Sequence, residues 1–195
     1  MQEKELKTLL LLLILKKEKR IGRYHLKEIL DMQGHEGIVR RMLEDLTRRQ
    51  WVRPTRSGCL LTQEGEEAIE TFLKEKGMVH VEQIDLRGCV IGPESAVIQL
   101  RDRTIARPIL TLRDSAVKVG AGGALILTYQ NGELGDYLAY RSLSARHPEV
   151  TQILKNSLHL LENDIAIVGF ADIYPRALEG ALAIGIEIDK SENEK

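Results

Sequence analysis

The stretch Gly34–Thr62, GHEGIVRRMLEDLTRRQWVRPTRSGCLLT, decides how this chain is read. It opens on a short polar turn, Gly34-His35-Glu36-Gly37. An amphipathic helix follows, with Ile38, Met42 and Leu46 on one side and Arg40, Arg41, Arg48 and Arg49 mostly elsewhere. Residues four apart stack along one face of a helix, so the three apolar positions form a stripe. The chain then becomes extended at Trp51-Val52-Arg53, crosses Pro54-Thr55-Arg56-Ser57-Gly58 and returns as Cys59-Leu60-Leu61-Thr62. A helix running straight into a two-stranded ribbon with arginines at its tip is the unit on which the first part of the chain is organised.

Upstream, Glu3–Lys17 is predicted to be helical. Leu6, Leu9, Leu10, Leu13 and Ile14 share a face, and Leu11, Leu12 and Leu15 extend it around much of the cylinder. A helix apolar nearly all round is covered on more than one side. The second cover comes either from the same chain or from another subunit, so a homodimer contact is expected here. Leu9–Leu15 is far shorter than the roughly 20 apolar residues of a membrane span, and no small-residue cleavage site follows it. No membrane partner and a cytoplasmic location are therefore expected. Arg23–Met32 reads as a second helix stopped at Gly34. Beyond the ribbon, Thr62 is an N-cap candidate, with Glu64, Glu66 and Glu67 near the positive end of the next helix. That helix runs to about Lys76 with Ala68, Ile69, Phe72 and Leu73 inward, and Gly77 closes it.

The order helix, helix, helix, ribbon, helix, with LEDLTRRQWV and RSGCLLTQEGEEAI, resembles the winged helix-turn-helix domains of prokaryotic transcription regulators. The resemblance covers residues 1–77. It implies that the helix beginning near Glu36 enters a major groove of duplex DNA while the ribbon meets backbone or minor groove. His35, Glu36, Arg40 and Arg41, near the helix start, are the candidates for groove contacts. Arg53, Thr55, Arg56 and Ser57 are the candidates for phosphate contacts. Arginine presents several donors in a planar fork that fits phosphate oxygens or a guanine edge. The bland alternative is that these arginines only solvate an exposed face.

Bulk composition is that of a globular protein, 43% hydrophobic and 29% charged, with 4% aromatic residues, so the core must be mainly aliphatic. The net charge of −1 is unevenly spread. Residues 1–62 hold 14 Lys+Arg against 8 Asp+Glu, and residues 78–195 hold 12 against 16. A basic part joined to an acidic one fits a nucleic-acid-binding module carrying a second domain. The two cysteines, Cys59 and Cys89, lack neighbouring ligands for a zinc site and read as reduced thiols.

After Gly77 the pattern changes to alternating strands and helices, an α/β or α+β arrangement. Strands are predicted from Val79 to Gly92, over Ala96–Leu100, Ala124–Tyr129 and Ile165–Gly169. Helices are predicted toward Val119, over Pro148–Glu162 and over Arg176–Ile188. Asn131-Gly132 marks a hairpin. Gly120-Ala121-Gly122-Gly123 follows a helix and precedes a strand, the reverse of a phosphate-binding loop, so it reads as a helix stop. LRDSAVKVGAGGALILTYQNGEL and NDIAIVGFADIYPRALEGALAIGIEI resemble the C-terminal domain of a family of archaeal winged-helix proteins of uncharacterised function. Arg113, Asp114, Gly120, Gly123, Gly169, Asp172, Gly180 and Ala181 are among the matching positions. The family's pattern has a small residue where Phe170 stands, which is expected to narrow any site beside Asp172.

Asp172 lies between a buried strand and a helix, where ligands of α/β domains tend to bind. With Arg113 and Asp114 it forms the candidate constellation for a small-molecule effector; an N-cap aspartate and a structural ion pair are the alternative. His80, His147 and His159 are scattered, and no nucleophile–base spacing or cofactor motif is found. The expected architecture is α+β in two domains: 1–77, a winged helix, and 78–190, a small α/β sandwich-type domain, with a charged tail at 191–195. The expected function is a DNA-binding transcription regulator, dimeric, without a cofactor and not an enzyme. A protein-interaction adaptor is the alternative, and an enzyme with its site near Asp172 is a more distant one.

Overall fold

The computed structural model describes residues 2–22, 25–26, 36–86, 92–136 and 141–190. The predicted second helix apart from residues 25–26, the Gly34 stop, His35, Cys89 and the 191–195 tail lie outside the described residues, as does the side chain of Glu36. The chain divides into two compact units, residues 1–73 and 74–195.

In the first unit, α1 (Gln2–Glu18) buries Leu6, Leu9, Leu10, Leu11, Leu12, Ile14 and Leu15, all within the single chain. The leucine run that suggested a second subunit is thus already covered, and only Leu13 stays partly exposed. α2 (Glu36–Arg48) buries Val39, Met42, Leu43 and Leu46, spaced three and four apart. Ile38, expected to face inward, is 44% exposed; Val39 takes its place. α2 leads through a turn to β1 (Val52–Thr55), which pairs antiparallel with β2 (Gly58–Leu61) in the register Val52↔Leu61 to Thr55↔Gly58. A bridge between Ile21 and Cys59 ties the segment after α1 to β2. The backbones come so close there that a Cβ on Gly58 would sit 2.5 Å from the Ile21 carbonyl oxygen.

Thr62 caps α3 (Gln63–Glu75) as expected. Its hydroxyl accepts from the Gly65 amide at 3.1 Å, satisfying one of the orphan donors of the first turn. The same hydroxyl donates to the Gln50 carbonyl, fastening the ribbon's return to its start. Ile69 is buried, whereas Ala68, Phe72 and Leu73 are only half-buried.

The second unit is an α+β fold built on one six-stranded sheet. Its strands are β3 (Met78–Ile84), β4 (Glu94–Leu100), β6 (Gly123–Gln130), β7 (Glu133–Asp136), β8 (Arg141–Ser142) and β9 (Ile165–Ala171). The spatial order is β3-β4-β9-β6-β7-β8, with every pair antiparallel. A short separate pair joins β5 (Arg103–Thr104) to β10 (Asp189–Lys190). The unit's last acquisition from the preceding helix is its final turn. Arg103 donates to the Glu75 and Lys76 carbonyls at 2.7 and 2.9 Å, and the Arg101 amide donates to Gly77.

Side chains alternate across a strand, which divides the sheet into two apolar faces. On one face lie Val97, Leu127, Ala166, Val168 and Phe170, packed with Val150, Leu154 and Leu158 from and after α5 (Pro148–Ser157). The other face takes α4 (Ile109–Lys118) and α6 (Tyr174–Glu187), the latter rich in Ala and Gly. α6 is buried from Ala177 to Ile186 because it sits directly on β9 and β4. α4 ends as the glycine-rich stretch predicts. The Gly120 amide donates to Val117 and the Ala121 amide to Ala116, the paired bonds of a Schellman stop, with Gly120 at φ +94°. The Asn131-Gly132 hairpin turn has both residues at positive φ, 52° and 80°, as a type I′ turn requires.

Two expectations are corrected. The helix predicted to reach Glu162 stops at Ser157, and Leu161, expected inward, is 56% exposed. Phe170 does not border Asp172 as a narrowing side chain; it is wholly buried in the core on the α5 face.

Candidate nucleic-acid interface

The first unit presents its cations along α2, the ribbon and the end of α1. The amphipathic pattern of α2 forces its arginines outward once Val39, Met42, Leu43 and Leu46 are buried. Arg40 and Arg41 are both exposed, but they diverge. Arg40 looks toward the ribbon: with Leu43, Thr47, Arg48, Pro54 and Cys59 it lines a cleft of about 630 Å³ between helix and ribbon. Its Nε donates to Glu44 Oε1 at 2.9 Å, an exposed pair one helical turn apart. Such pairs contribute only about 0.3–0.5 kcal/mol and yield readily to a stronger anion. Arg41 lies on the other side, in a groove of about 500 Å³ shared with Lys4 and Lys7 of α1.

At the ribbon, Arg53, Thr55, Arg56 and Ser57 are all exposed. The tip is held in shape by Thr55, whose hydroxyl donates to the Gly58 carbonyl at 2.7 Å. Arg20 donates from Nη1 to Ser57 Oγ at 3.0 Å, joining the basic run at the end of α1 to the tip. Sequence reasoning missed Arg20 as a site residue, although Lys16-Lys17-Glu18-Lys19-Arg20 is plain in the chain. What it lacked was the Ile21–Cys59 bridge that brings the run beside the ribbon. Arg48, likewise not singled out, lines the cleft and pairs with Asp45. Arg49 stacks over Trp51, 4.9 Å from the ring centroid, and is thereby committed to the fold.

Asp45 locks α2 to α1. It accepts from Lys4 Nζ at 3.0 Å and from Arg48. The Lys4 hydrogen bond and charge, with the charges of Arg48 and Arg49, hold its carboxyl below the usual aspartate range. A depressed folded value means the attraction is present above the unfolded pKa and is lost as pH falls through the folded one. Carboxyl NMR titration should therefore place Asp45 below an ordinary aspartate, and Lys4→Ala should move it upward. An Asp45 midpoint unchanged by Lys4→Ala would remove the lock.

The second constellation is not assembled. Arg113 donates from Nε to the Ala124 carbonyl at 2.9 Å, pinning α4 to β6. Asp172 is paired with Arg176 on α6 at 3.2 Å, and Asp114 is exposed. Among the described residues, no hydrogen bond or ion pair links Arg113, Asp114 and Asp172. The rule that placed a ligand at the strand end belongs to open parallel sheets, and this sheet is antiparallel.

The sequence family described as "Domain of unknown function (DUF4443)" matches residues 91–188, half of the chain. The chain belongs to the DUF4443 family. The matched segment begins before β4 and ends after α6, so the family's pattern covers β4, β6, β7, β8 and β9 with α4, α5 and α6, and leaves out the edge strand β3. In this DUF4443 protein Gly120 stands at the helix stop, Gly169 where α6 closely approaches the sheet, and Gly180 where α6 closely approaches Ala116 of α4 and Ala121 beyond its end. Among solved structures it resembles "Hypothetical protein PH0730 from Pyrococcus horikoshii OT3", with a TM-score of 0.69 and 26% identity. That likeness covers 92% of this chain and 90% of the archaeal one, both units included. No curated protein matches. Among the described residues, no helix is long and apolar enough to cross a membrane.

Proposed function

We propose that this DUF4443 protein is a DNA-binding transcription regulator whose first unit is a winged helix-turn-helix. In this reading α2 enters the major groove and the β1–β2 ribbon is the wing. The observation that carries it is the cleft between α2 and the ribbon, bordered by Arg40 and Arg48 on the helix and followed by exposed Arg53 and Arg56 on the ribbon. Arg20, bonded to Ser57 at the tip, adds a fifth cation. Phosphate contacts of this kind supply affinity and register, and base-edge contacts supply sequence choice. Arg40, on the first half of α2 and lining the cleft, is the side chain proposed for base edges, whereas Arg41 lies on the other side of the helix; Arg20, Arg53, Thr55, Arg56 and Ser57 are proposed for phosphates. The second unit is proposed to mediate assembly or to sense a small ligand, with no site assigned to the ligand.

Binding to mixed-sequence duplex DNA, measured by fluorescence anisotropy from low to physiological salt, tests this reading. Affinity should fall steeply and log-linearly with salt. Arg56→Ala should lessen the slope by about 0.9, one phosphate contact, and weaken all sequences alike. Arg40→Ala should also alter preference among sequences. A protein that binds no duplex at low salt is not a DNA-binding regulator, and a protein-contact role for the same surface would replace the proposal.

A further inference from the structure

The first unit has a pocket of about 370 Å³ bounded by α1, α2, Trp51 and α3. Leu9, Leu12, Met42 and Leu46, all buried, form its floor, and Trp51 and Phe72, both half-buried, form its walls. Domain interiors are close-packed and leave few voids larger than a water molecule. A hollow of this size falls within the roughly 300–1,000 Å³ of small-molecule sites, which are apolar with a few polar groups at fixed places. Trp51 is the one tryptophan of the chain, and Phe72 is one of two phenylalanines, the other being sealed in the core of the second unit. The first unit therefore lays both of its large aromatic side chains of this kind along one hollow. On α2, Met42, Leu46 and Arg49 line the pocket, whereas Arg40, Thr47 and Arg48 line the cleft toward the ribbon. At 3.6 residues per turn the two sets fall on opposite sides of the helix.

Lys4, Glu5, Asp45 and Arg49 are the ionisable side chains of the pocket. Lys4 and Asp45 are spent on each other, 3.0 Å apart. Among the described residues, the side chains of Glu5 and Arg49 make no hydrogen bond and no ion pair. Trp51 holds the Arg49 guanidinium over its ring, which fixes the group and leaves its N–H donors available. We propose that this pocket binds a small aromatic zwitterion, the chemistry of an aromatic α-amino acid, and that the ligand acts as an effector through α2. The aromatic body packs against Trp51 and Phe72. Its carboxylate accepts from Arg49, whose planar fork suits a carboxylate, and its ammonium donates to Glu5. An acid lacking the ammonium would meet the negative Glu5, and an amine lacking the carboxylate would meet the positive Arg49. The two charges together thus select against both. A ligand seated behind α2 alters DNA binding by as much as it favours one position of that helix over another. The effector role rests on the DNA-binding reading; the binding site does not.

Because Trp51 is both the one tryptophan and a wall of the pocket, its emission reports on the site directly in the full chain. Titration with L-phenylalanine, excited where phenylalanine does not absorb, should change that emission saturably by millimolar concentration. Phenylpropionate and phenethylamine, which each lack one of the two charges, should bind at least about tenfold more weakly. Arg49→Gln should weaken phenylalanine and phenylpropionate but not phenethylamine, and Glu5→Gln should weaken phenylalanine and phenethylamine but not phenylpropionate. Each comparison is made between ligands on one variant, so a general loss of folding does not imitate it. Duplex affinity measured with and without saturating phenylalanine should differ by at least about fivefold. An emission that phenylalanine leaves unchanged overturns the site, and so does one that shifts with protein concentration instead, since a second copy then covers the pocket. Equal affinity for phenylalanine and either truncated probe overturns the zwitterion. Equal duplex affinities with and without phenylalanine overturn the effector role, whereas a protein that binds no duplex at all leaves the emission titration standing.

Discussion

Asp164→Ala is expected to destabilise the second unit by about 3 kcal/mol, the scale of leaving two shielded donors unsatisfied at ~1–3 kcal/mol each. Asp164 is 1% exposed and serves four donors at once. Its Oδ2 accepts from Gln99 Nε2 at 2.7 Å, from Arg101 Nη2 at 2.8 Å and from the Leu161 amide at 2.8 Å, while Oδ1 accepts from Arg101 Nε at 3.1 Å. Alanine would leave the buried Gln99 amide and the part-buried Leu161 N–H without this acceptor, while the Arg101 guanidinium, 31% exposed, keeps access to water. Gln99 and Arg101 also donate to the His159 carbonyl, each at 3.0 Å, so the network binds the end of β4 to residues 158–164 just before β9. The attraction is visible at Arg101, whose pKa is raised first by the hydrogen bond to Asp164. Asp164→Asn preserves shape and one acceptor oxygen, and should cost less than alanine. Urea unfolding followed by far-UV circular dichroism measures both. A loss below about 1 kcal/mol for alanine would mean that the network only decorates the fold, since that is the scale of an ordinary hydrogen bond.

Gly169→Ala is expected to cost at least about 3 kcal/mol, the upper end of the range for overpacking a close-packed site. Gly169 lies on the central strand β9, opposite Ala96 on β4 and Ala124 on β6, and faces α6. A Cβ there would stand 2.1 Å from the Ala177 carbonyl oxygen and 3.0 Å from the Ala181 nitrogen. Both are backbone atoms of a helix buried along its length, so relief requires moving α6 off the sheet. Gly185→Ala on the same helix is the control. Its Cβ would meet the tips of Ile98 at 2.5 Å and Met78 at 2.9 Å, which are flexible, and alanine gains about 0.8–1 kcal/mol in helix propensity. The pair of melts should therefore separate widely, with Gly185→Ala close to wild type. Similar melting temperatures for the two variants would show that α6 shifts freely on the sheet.

These two residues also mark the limit of sequence reading. Asp164 directly precedes the predicted strand Ile165–Gly169, but its partners Gln99 and Arg101 are 65 and 63 residues away. The same network explains why the helix predicted to reach Glu162 ends early: Asp164 draws the Leu161 amide and, through Gln99 and Arg101, the His159 carbonyl out of helical bonding. In α2, a stripe of Ile38, Met42 and Leu46 and a stripe of Val39, Met42, Leu43 and Leu46 are both compatible with helical spacing. Only the neighbours of the folded helix choose the second. The candidate site was legible as a set of arginines, with Arg40, Arg53 and Arg56 exposed as expected. Arg20 was not, because its link to Ser57 spans 37 residues.

The sequence by itself determined the features whose causes are local: the Thr62 cap, the Gly120 helix stop, the Asn131-Gly132 turn, the helix running into a ribbon and the basic character of the first part. Each rests on the conformational preference or charge of a few adjacent residues. The tertiary structure alone decided the antiparallel order β3-β4-β9-β6-β7-β8, the burial of the leucine run within one chain, and the separation of Arg113, Asp114 and Asp172 into unrelated contacts. Those depend on which distant segments meet, and pairing between strands far apart in the chain is set by the packing of whole faces, which no short window of residues encodes.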